Sequence, residues 1–315
     1  MSLTVAVQMD PLETINIAGD STFALMLSAQ ARGHRLFYYR AEDLTYHDGR
    51  VYAGAYPVEV RPEPGNHFTL GEFVILDLGR DTDVVLMRQD PPFDLGYITA
   101  THLLERIQGQ TLVVNDPASV RNAPEKVWVL DFARFMPPTV ITRSLSVARE
   151  FLEEHGEIVV KPLHGNGGKA IFKIGRDGAN LSSLIEVFNT AYREPHMVQA
   201  FLPEIVEGDK RIVLVDGEVA GAVNRLPGAG EIRSNLAVGG KAAKTELTER
   251  ELEICAALGP ELKARGLIFV GIDVIGGKWL TEINVTSPTG IVAIDKFNGT
   301  DTAGRIWDAI EARVR

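Results

Sequence analysis

The sequence predicts an α/β fold that opens on a mostly parallel sheet covered by helices and closes in antiparallel hairpins, an α+β second half. Two patterns carry this. Over the first 115 residues, short apolar runs alternate with helical periodicity. Further on, EGDKRIVLVDGEVAGAVNRLP and FVGIDVIGGKWLTEINV each read as two β-branched-rich runs around a glycine-containing turn. A third observation bounds the size: 315 residues at 45% hydrophobic content leave room for about two or three domains with real cores.

Taken in order, residues 4–9 are apolar enough for a buried strand, and Asp20 caps a helix over 21–32 that Gly33 ends. Residues 35–39, 84–87 and 112–114 add short strands, with a helix over 97–107 between the last two. Ligands of such sheets gather beyond the carboxyl ends of strands, which draws attention to residues 9–11 and 87–92. Arg88, between a strand and a Pro-Pro turn, either forks a ligand carboxylate or pairs with Asp90.

From Asn115 the pattern changes, and a domain boundary is placed near residue 122. A helix carrying Lys126 comes next, followed by a strand over 139–141, a helix over 146–155 and a strand over 158–160 that closes at Lys161-Pro162. The segment LHGNGGKAIFKI then offers Gly165, Gly167 and Gly168, whose backbone can approach a ligand and aim N–H groups at phosphate oxygens. It matches neither a Walker A loop nor a dinucleotide fingerprint. A lysine ending a buried strand is poorly placed unless an anion meets it, so Lys161 strengthens the phosphate reading.

A helix over 181–192 and a strand over 197–201 lead to residues 199–202, a strand-to-loop hinge suited to the edge of an adenine ring. Arg211 and Arg225 lie on the two strands of the hairpin about Asp216-Gly217. They are either solvated edge arginines or face Asp273 and Glu282 and neutralise phosphates there. Residues 227–241 have no period and two glycine clusters, the marks of a lid, with Arg233 near the middle to reach a bound anion. Helices over 249–265, ended by Gly266, and 306–314 complete the chain.

The densest chemistry is in GIDVIGGKWLTEINVTSPTG. If the loop 276–279 has an even number of residues, Asp273 shares one face with Glu282 and Asn284, while Ile272, Val274, Ile283 and Val285 cover the core. Two carboxylates and an amide oxygen without His or Cys suit a hard cation, Mg²⁺ above all. Acidic residues number 42 against 32 basic, a formal charge of -10, which argues against nucleic acid or an anionic membrane as partner. One cysteine, Cys255 on a predicted helix, points to a buried thiol and a cytoplasmic setting. There is no apolar run near the length of a membrane span and no signal-peptide pattern.

The order Lys126, Lys161, glycine-rich loop, hinge near Gln199, then Asp273, Glu282 and Asn284 resembles the ATP-grasp ligases. MDPLETINIAGDSTFALMLSAQARG, LMRQDPPFD, GLIFVGID and NVTSPTG narrow the resemblance to the bacterial glutathione synthetase family. The resemblance covers nearly the whole chain. It implies an ATP-grasp fold with a Rossmann-like N-terminal substrate domain (1–122), a central lid domain (123–200) and a C-terminal metal domain (201–315), with ATP between two antiparallel sheets.

Further implications attach to single residues. Lys126 and Lys161 would hold ATP phosphates, Gly165, Gly167 and Gly168 would form a clamp over them, and the backbone of Gln199, Ala200, Phe201 and Leu202 would meet adenine. Either Glu207 or Asp209 would hold the ribose. Asp273, Glu282 and Asn284 match magnesium (or manganese) positions, while Arg88, Asn284, Ser287 and Thr289 match positions around γ-glutamylcysteine and glycine. Arg211 and Arg225 would offset charge during transfer, and Arg233 would ride on a closing loop. The implied reaction makes an acylphosphate on γ-glutamylcysteine with ATP, which glycine then attacks, in a symmetric homo-oligomer, a tetramer. His164 and Lys169 depart from the commonest form of the clamp. Another ATP-grasp carboxylate–amine ligase shares the ATP and metal residues. An ATP-binding regulator without catalysis would be expected to have lost some of Lys126, Lys161, Asp273, Glu282 and Asn284, and all five are present.

Overall fold

The computed structural model describes every residue except 1, 166, 229, 232, 235–238 and 315. The first sheet starts with β1 (Thr4–Gln8), α1 (Ser21–Ala31) and β2 (Arg35–Tyr39). Asp20 caps α1 by accepting from the Phe23 N–H at 2.6 Å. The chain then adds β3 (Leu44–His47), β4 (Arg50–Val60), β5 (Phe68–Leu70) and β6 (Val74–Asp77) before returning through β7 (Val84–Met87), α2 (Leu95–Glu105), β8 (Leu112–Val114) and the short α3 (Pro117–Arg121). β1, β2, β7 and β8 pair in parallel, as expected. The expectation of a mostly parallel sheet holds for those four of its eight strands; β3 to β6 form an antiparallel arm built on β4.

The second sheet comprises β9 (Thr139–Thr142), β10 (Ile158–Pro162), β11 (Phe172–Ile174) and β12 (His196–Ala200), antiparallel throughout, with α4 (Leu145–His155) and α5 (Leu181–Ala191) on one face. Ile158, Val160, Ile174 and Val198 from its strands join Ala148, Leu152, Leu184 and Phe188 from those helices in a separate apolar cluster. Of this sheet and its connections, Leu163 and Met197 instead reach the large core beneath.

The third sheet is also antiparallel: β13 (Asp209–Val215), β14 (Glu218–Leu226), β15 (Lys241–Ala243), β16 (Phe269–Ile275) and β17 (Trp279–Asn284), in the order β15-β14-β13-β16-β17. β15 occupies the end of the stretch expected to be loop. Between β15 and β16 runs α6 (Glu249–Ala264), started by a capping box in which the Glu251 N–H donates to Thr248 Oγ1 and the Thr248 N–H to Glu251 Oε2. α7 (Ile291–Asn298), packed on β14, and α8 (Thr302–Val314), packed on α1, end the chain, and Trp307 Nε1 donates to the Leu25 carbonyl of α1.

The first and third sheets are joined by more than packing. Asn115, just past β8, donates to the carbonyls of Phe269 and Val285 at 2.7 and 2.8 Å and accepts from the Phe269 N–H at 2.9 Å. One buried side chain thereby satisfies three main-chain groups at the ends of β16 and β17. Residues of both sheets also mix within each of the two large cores.

Candidate active site

Asp273 and Glu282 stand directly opposite each other on β16 and β17, and Asn284 is opposite Gly271 on the same face. The route to this arrangement differs from the expectation. Trp279 belongs to β17, so the loop is Gly276, Gly277 and Lys278, and an odd loop by itself would pair Asp273 with Thr281 and turn Glu282 to the other face. A bulge at Thr281 inserts one extra residue and restores the parity. Thr281 Oγ1 donates to the Asp273 carbonyl at 3.2 Å and pins the bulge.

The two hairpin arginines turn inward rather than to solvent. Arg211 grips Asp273 with two bonds, Nε to Oδ1 at 2.6 Å and Nη2 to Oδ2 at 3.0 Å. Arg225 Nη2 bridges Asp209 at 2.5 Å and Asp273 at 3.0 Å. Burial opposes ionisation of Asp273, but the two guanidinium groups outweigh it and hold the carboxyl well below the usual range. Asp209 is pushed up, by burial first and by the neighbouring Asp273 charge, against the pull of Arg225. Asn284 Nδ2 lies 3.4 Å from Asp273 Oδ2.

Glu282 faces the other way, toward Lys126 and Lys161 at 3.4 and 3.7 Å. Lys126 is not on a helix, as expected from the sequence, but in the turn before the 3-10 segment Trp128–Phe135. Being free of a helical face lets its Nζ reach the Gly165 carbonyl at 2.6 Å. Burial lowers the Lys161 pKa despite Glu282, whereas for Lys126 the same burial is overcome by Glu282 and Glu125. Two buried ammonium groups sharing one carboxylate are short of negative charge, the condition for binding a polyanion.

A cavity opens beside these lysines. Its walls include Lys126, Lys161, Gly165, Gly167, Gly168, Gln199, Ala200, Phe201, Leu202, Asp209, Arg233, Asp273 and Glu282. Gly167 and Gly168 have φ of +61° and +75°, the left-handed region that glycine enters without strain. At the hinge, the N–H groups of Ala200 and Phe201 are already given to the carbonyls of Pro138 and Glu157. Leu202 N–H has no hydrogen-bond partner among the described residues, which narrows the free edge to that amide. Of the two ribose candidates, Asp209 is on the cavity wall and Glu207 is not. Arg233, half-buried and paired with Glu231, and Ser234, which donates to Asp209 at 3.0 Å, bring the loop to this wall. The lid expected over 227–241 falls partly outside the described residues, at 229, 232 and 235–238.

A second cavity is lined by Asp90, Glu125, Arg211, Arg225, Glu282, Asn284, Thr286, Ser287, Thr289 and Gly290. Glu282 and Gly167 belong to both cavities. Arg88 is buried behind this wall, not on it. Its Nε donates to Thr22 Oγ1 at 3.0 Å and its Nη2 to the Pro288 carbonyl at 2.8 Å, its guanidinium lies over Phe269, and Nη1 has no partner. It makes no ion pair with Asp90 among the described residues. Glu125 and Thr286 escaped the sequence reading; the only signal for Glu125 was its place beside a buried lysine.

The donors suit a hard cation. Asp273, Glu282 and Asn284 present oxygens on one face, but each Asp273 oxygen already faces two donors, Oδ1 those of Arg211 and Arg225 and Oδ2 those of Arg211 and Asn284, so a cation reaching Asp273 displaces one of these contacts.

Comparison with known proteins places this geometry. Residues 3–121 match the prokaryotic glutathione synthetase N-terminal domain, and residues 125–299 match the ATP-grasp domain of the same family. The glutathione synthetases of Rhodopseudomonas palustris and Bradyrhizobium diazoefficiens are 58% and 57% identical, each alignment covering 99% of both chains. Among solved structures, the D-cycloserine synthetase DcsG superposes with a TM-score of 0.70 at 17% identity, covering 99% of this chain and 100% of that one, which shows a shared fold. The ATP-grasp ligase PsnB, with a phosphomimetic variant of its minimal precursor, Mg and ADP, gives 0.62 at 18% identity over 100% and 99%. The chain belongs to the prokaryotic glutathione synthetase family of ATP-grasp ligases.

Proposed function

We propose that the two joined cavities synthesise glutathione from γ-glutamylcysteine and glycine at the expense of ATP. The observation that carries this is Glu282, common to both cavities and facing two buried lysines: the nucleotide side and the acyl side meet at one carboxylate. A free carboxylate is a poor acyl donor because its leaving group is oxide. Transfer of the γ-phosphoryl group to the cysteinyl carboxylate makes phosphate the leaving group, and glycine's amine then displaces it to give glutathione, ADP and phosphate.

Residue roles follow from position. Lys126 and Lys161 hold the phosphates, with Gly165, Gly167 and Gly168 covering them. The Leu202 N–H meets the adenine edge, while Asp209 is placed for the ribose. Asp273, Glu282 and Asn284 hold Mg²⁺ or Mn²⁺, which when bound neutralises phosphate charge. Arg211 and Arg225 stabilise charge that builds on the transferring group and on the tetrahedral oxyanion. Ser287, Thr289 and Asn284 line the acyl side, and the unpartnered Nη1 of Arg88 is the group available to a substrate carboxylate reaching past Pro288. The loop 227–241, with Arg233, excludes water that would hydrolyse the acylphosphate.

The functional division is a substrate domain (1–122), a lid (123–200) and a metal domain (201–315). Exposed Tyr46, Phe73 and Ile75 on the antiparallel arm support self-association, a tetramer being the state expected of the family, and light scattering checks it. The lone, buried Cys255 fits the cytoplasm; no helix among the described residues is long and apolar enough to cross a membrane.

The test is phosphate release from Mg-ATP with γ-glutamylcysteine, with and without glycine, alongside mass detection of glutathione. Release that requires both substrates and equals the glutathione formed is the expected result. Release that neither substrate stimulates overturns the substrate assignment.

A further inference from the structure

We propose that Glu125 receives the ammonium group of the amine substrate and takes a proton from it, an inference that rests on the ligase reading above. Glu125 lines the acyl-side cavity. Two bonds fix it there: Oε1 accepts from Thr286 Oγ1 at 3.1 Å, and the main-chain carbonyl accepts from the Ile283 N–H at 3.2 Å. The other acids of the cleft are answered by cations or water. Glu282 has two lysines, Asp273 and Asp209 have arginines, and Asp90 at the rim is exposed. Glu125 has no cation within ion-pair distance among the described residues.

A partly buried carboxylate aimed into a substrate cavity without a counter-charge is costly unless a cation arrives. ATP brings only negative charge, and γ-glutamylcysteine brings an α-ammonium as well as its carboxylates. Glycine's ammonium is the cation that must come to the acyl carbon itself, beside Lys126 and Glu282 where the phosphates are held, and Glu125 adjoins Lys126 there; Arg211 and Arg225 on the same wall suit glycine's carboxylate.

The chemistry needs such a group. Glycine enters as an ammonium ion and ends as an amide N–H, so two protons leave nitrogen. Glu125 takes the first and frees the lone pair, which attacks the acylphosphate carbon. The C–O bond to phosphate breaks with its electron pair on phosphate, and the second proton goes to that leaving phosphate. Glu125 then releases its proton to solvent. Burial raises the Glu125 carboxyl to about 7, with Lys126 and Arg211 pulling it down and Glu282 pushing it up. A base with that affinity exchanges protons readily near neutrality.

Hydroxylamine separates this role from all others, because it is uncharged near neutral pH and traps acylphosphates as hydroxamates without a protein base. For Glu125→Gln, glycine-dependent glutathione formation should fall about 10²-fold or more, while hydroxamate formation from γ-glutamylcysteine and ATP stays near the unmutated rate. Raising the pH should recover glycine turnover in the variant as free amine accumulates. Thr286→Val, which removes only the orienting hydroxyl, should show the same split with a smaller loss. Equal loss with both nucleophiles, or full glycine activity in Glu125→Gln, overturns the inference. An unmutated enzyme that forms no hydroxamate overturns the ligase reading, and this inference with it.

Discussion

Asp273→Asn tests whether the cleft is held open by paired charges. In the native protein the Asp273 carboxylate accepts from Arg211 at 2.6 and 3.0 Å, and Arg225 lies 3.0 Å from it. Asparagine keeps one acceptor oxygen and loses the charge. Arg225 retains Asp209, but Arg211 is left buried with no carboxylate, facing only neutral oxygens, the Thr289 carbonyl at 3.3 Å among them. Removing one partner of a buried pair costs about 3–5 kcal/mol, and the retained amide oxygen places this case near 3. At roughly 2 °C per kcal/mol for a chain of this size, the melting temperature should fall by about 6 °C. Asp273 is a depressed acid, so its contribution is present above the unfolded value near 4 and is lost as pH falls through the lower folded value. The deficit should therefore be level from about pH 5 to 8 and shrink below about pH 4. Scanning calorimetry across that range is the assay, with Arg211→Met added in the same chain. Because that second change removes the stranded cation, the double variant should be more stable than Asp273→Asn alone. If the two losses simply add, the stranded-charge argument is wrong.

Other outcomes follow from the same geometry. Glu282→Gln should abolish turnover, by at least about 10²-fold, and keep a cooperative melt; ordinary activity at ordinary Mg²⁺ would remove Glu282 from the metal position. Glu125 is a raised acid, pushed by burial from an ordinary 4.5 to about 7. Its burial therefore costs nothing well below pH 4 and at most about 3 kcal/mol above pH 7. Glu125→Gln should raise the melting temperature at pH 8 and progressively less toward pH 5; an equal shift at both pH values counts against it. Gly217→Ala puts a methyl 2.4 Å from the Gly259 carbonyl at a φ of +78°. A loss of about 2 kcal/mol or more is expected, with an unchanged KM for ATP because this turn is at the far end of the hairpin from Asp209.

Much of the site was legible because its residue types conflict with their local setting. Acids on the strand face of Asp273 and Glu282, a lysine ending β10 and two arginines on β13 and β14 all violate strand preferences unless a charged ligand gathers them. The antiparallel arm was not legible. β3, β5 and β6 are short and partly exposed, and their pairing with β4 is decided by tertiary contact rather than period. The loop parity at Gly276 was misassigned because Trp279 reads equally well as turn or strand. Lys126 was placed on a helix because the helical pattern starts two residues later. Arg88 does not take the Asp90 pairing offered for it: its main tie is the carbonyl of Pro288, 200 residues away, which no local pattern announces.

Three sheets make only two separable bodies. Asn115 rivets the first sheet to the third, and α8 lies across both, so residues on either side of the family boundary at 121–125 share their apolar interior. A cut there would strand three main-chain groups and lay open both halves of that interior. The segment from β9 to β12 differs, for it carries an apolar cluster of its own between strands and helices. The first and third sheets thus hold the acids and arginines on a shared interior, and the β9–β12 segment carries Lys161 and the glycines on a cluster largely its own. A staple between the first and third sheets away from the cleft should leave turnover unchanged, whereas one that ties the β9–β12 segment to the third sheet near Pro138 and Leu202 should slow it.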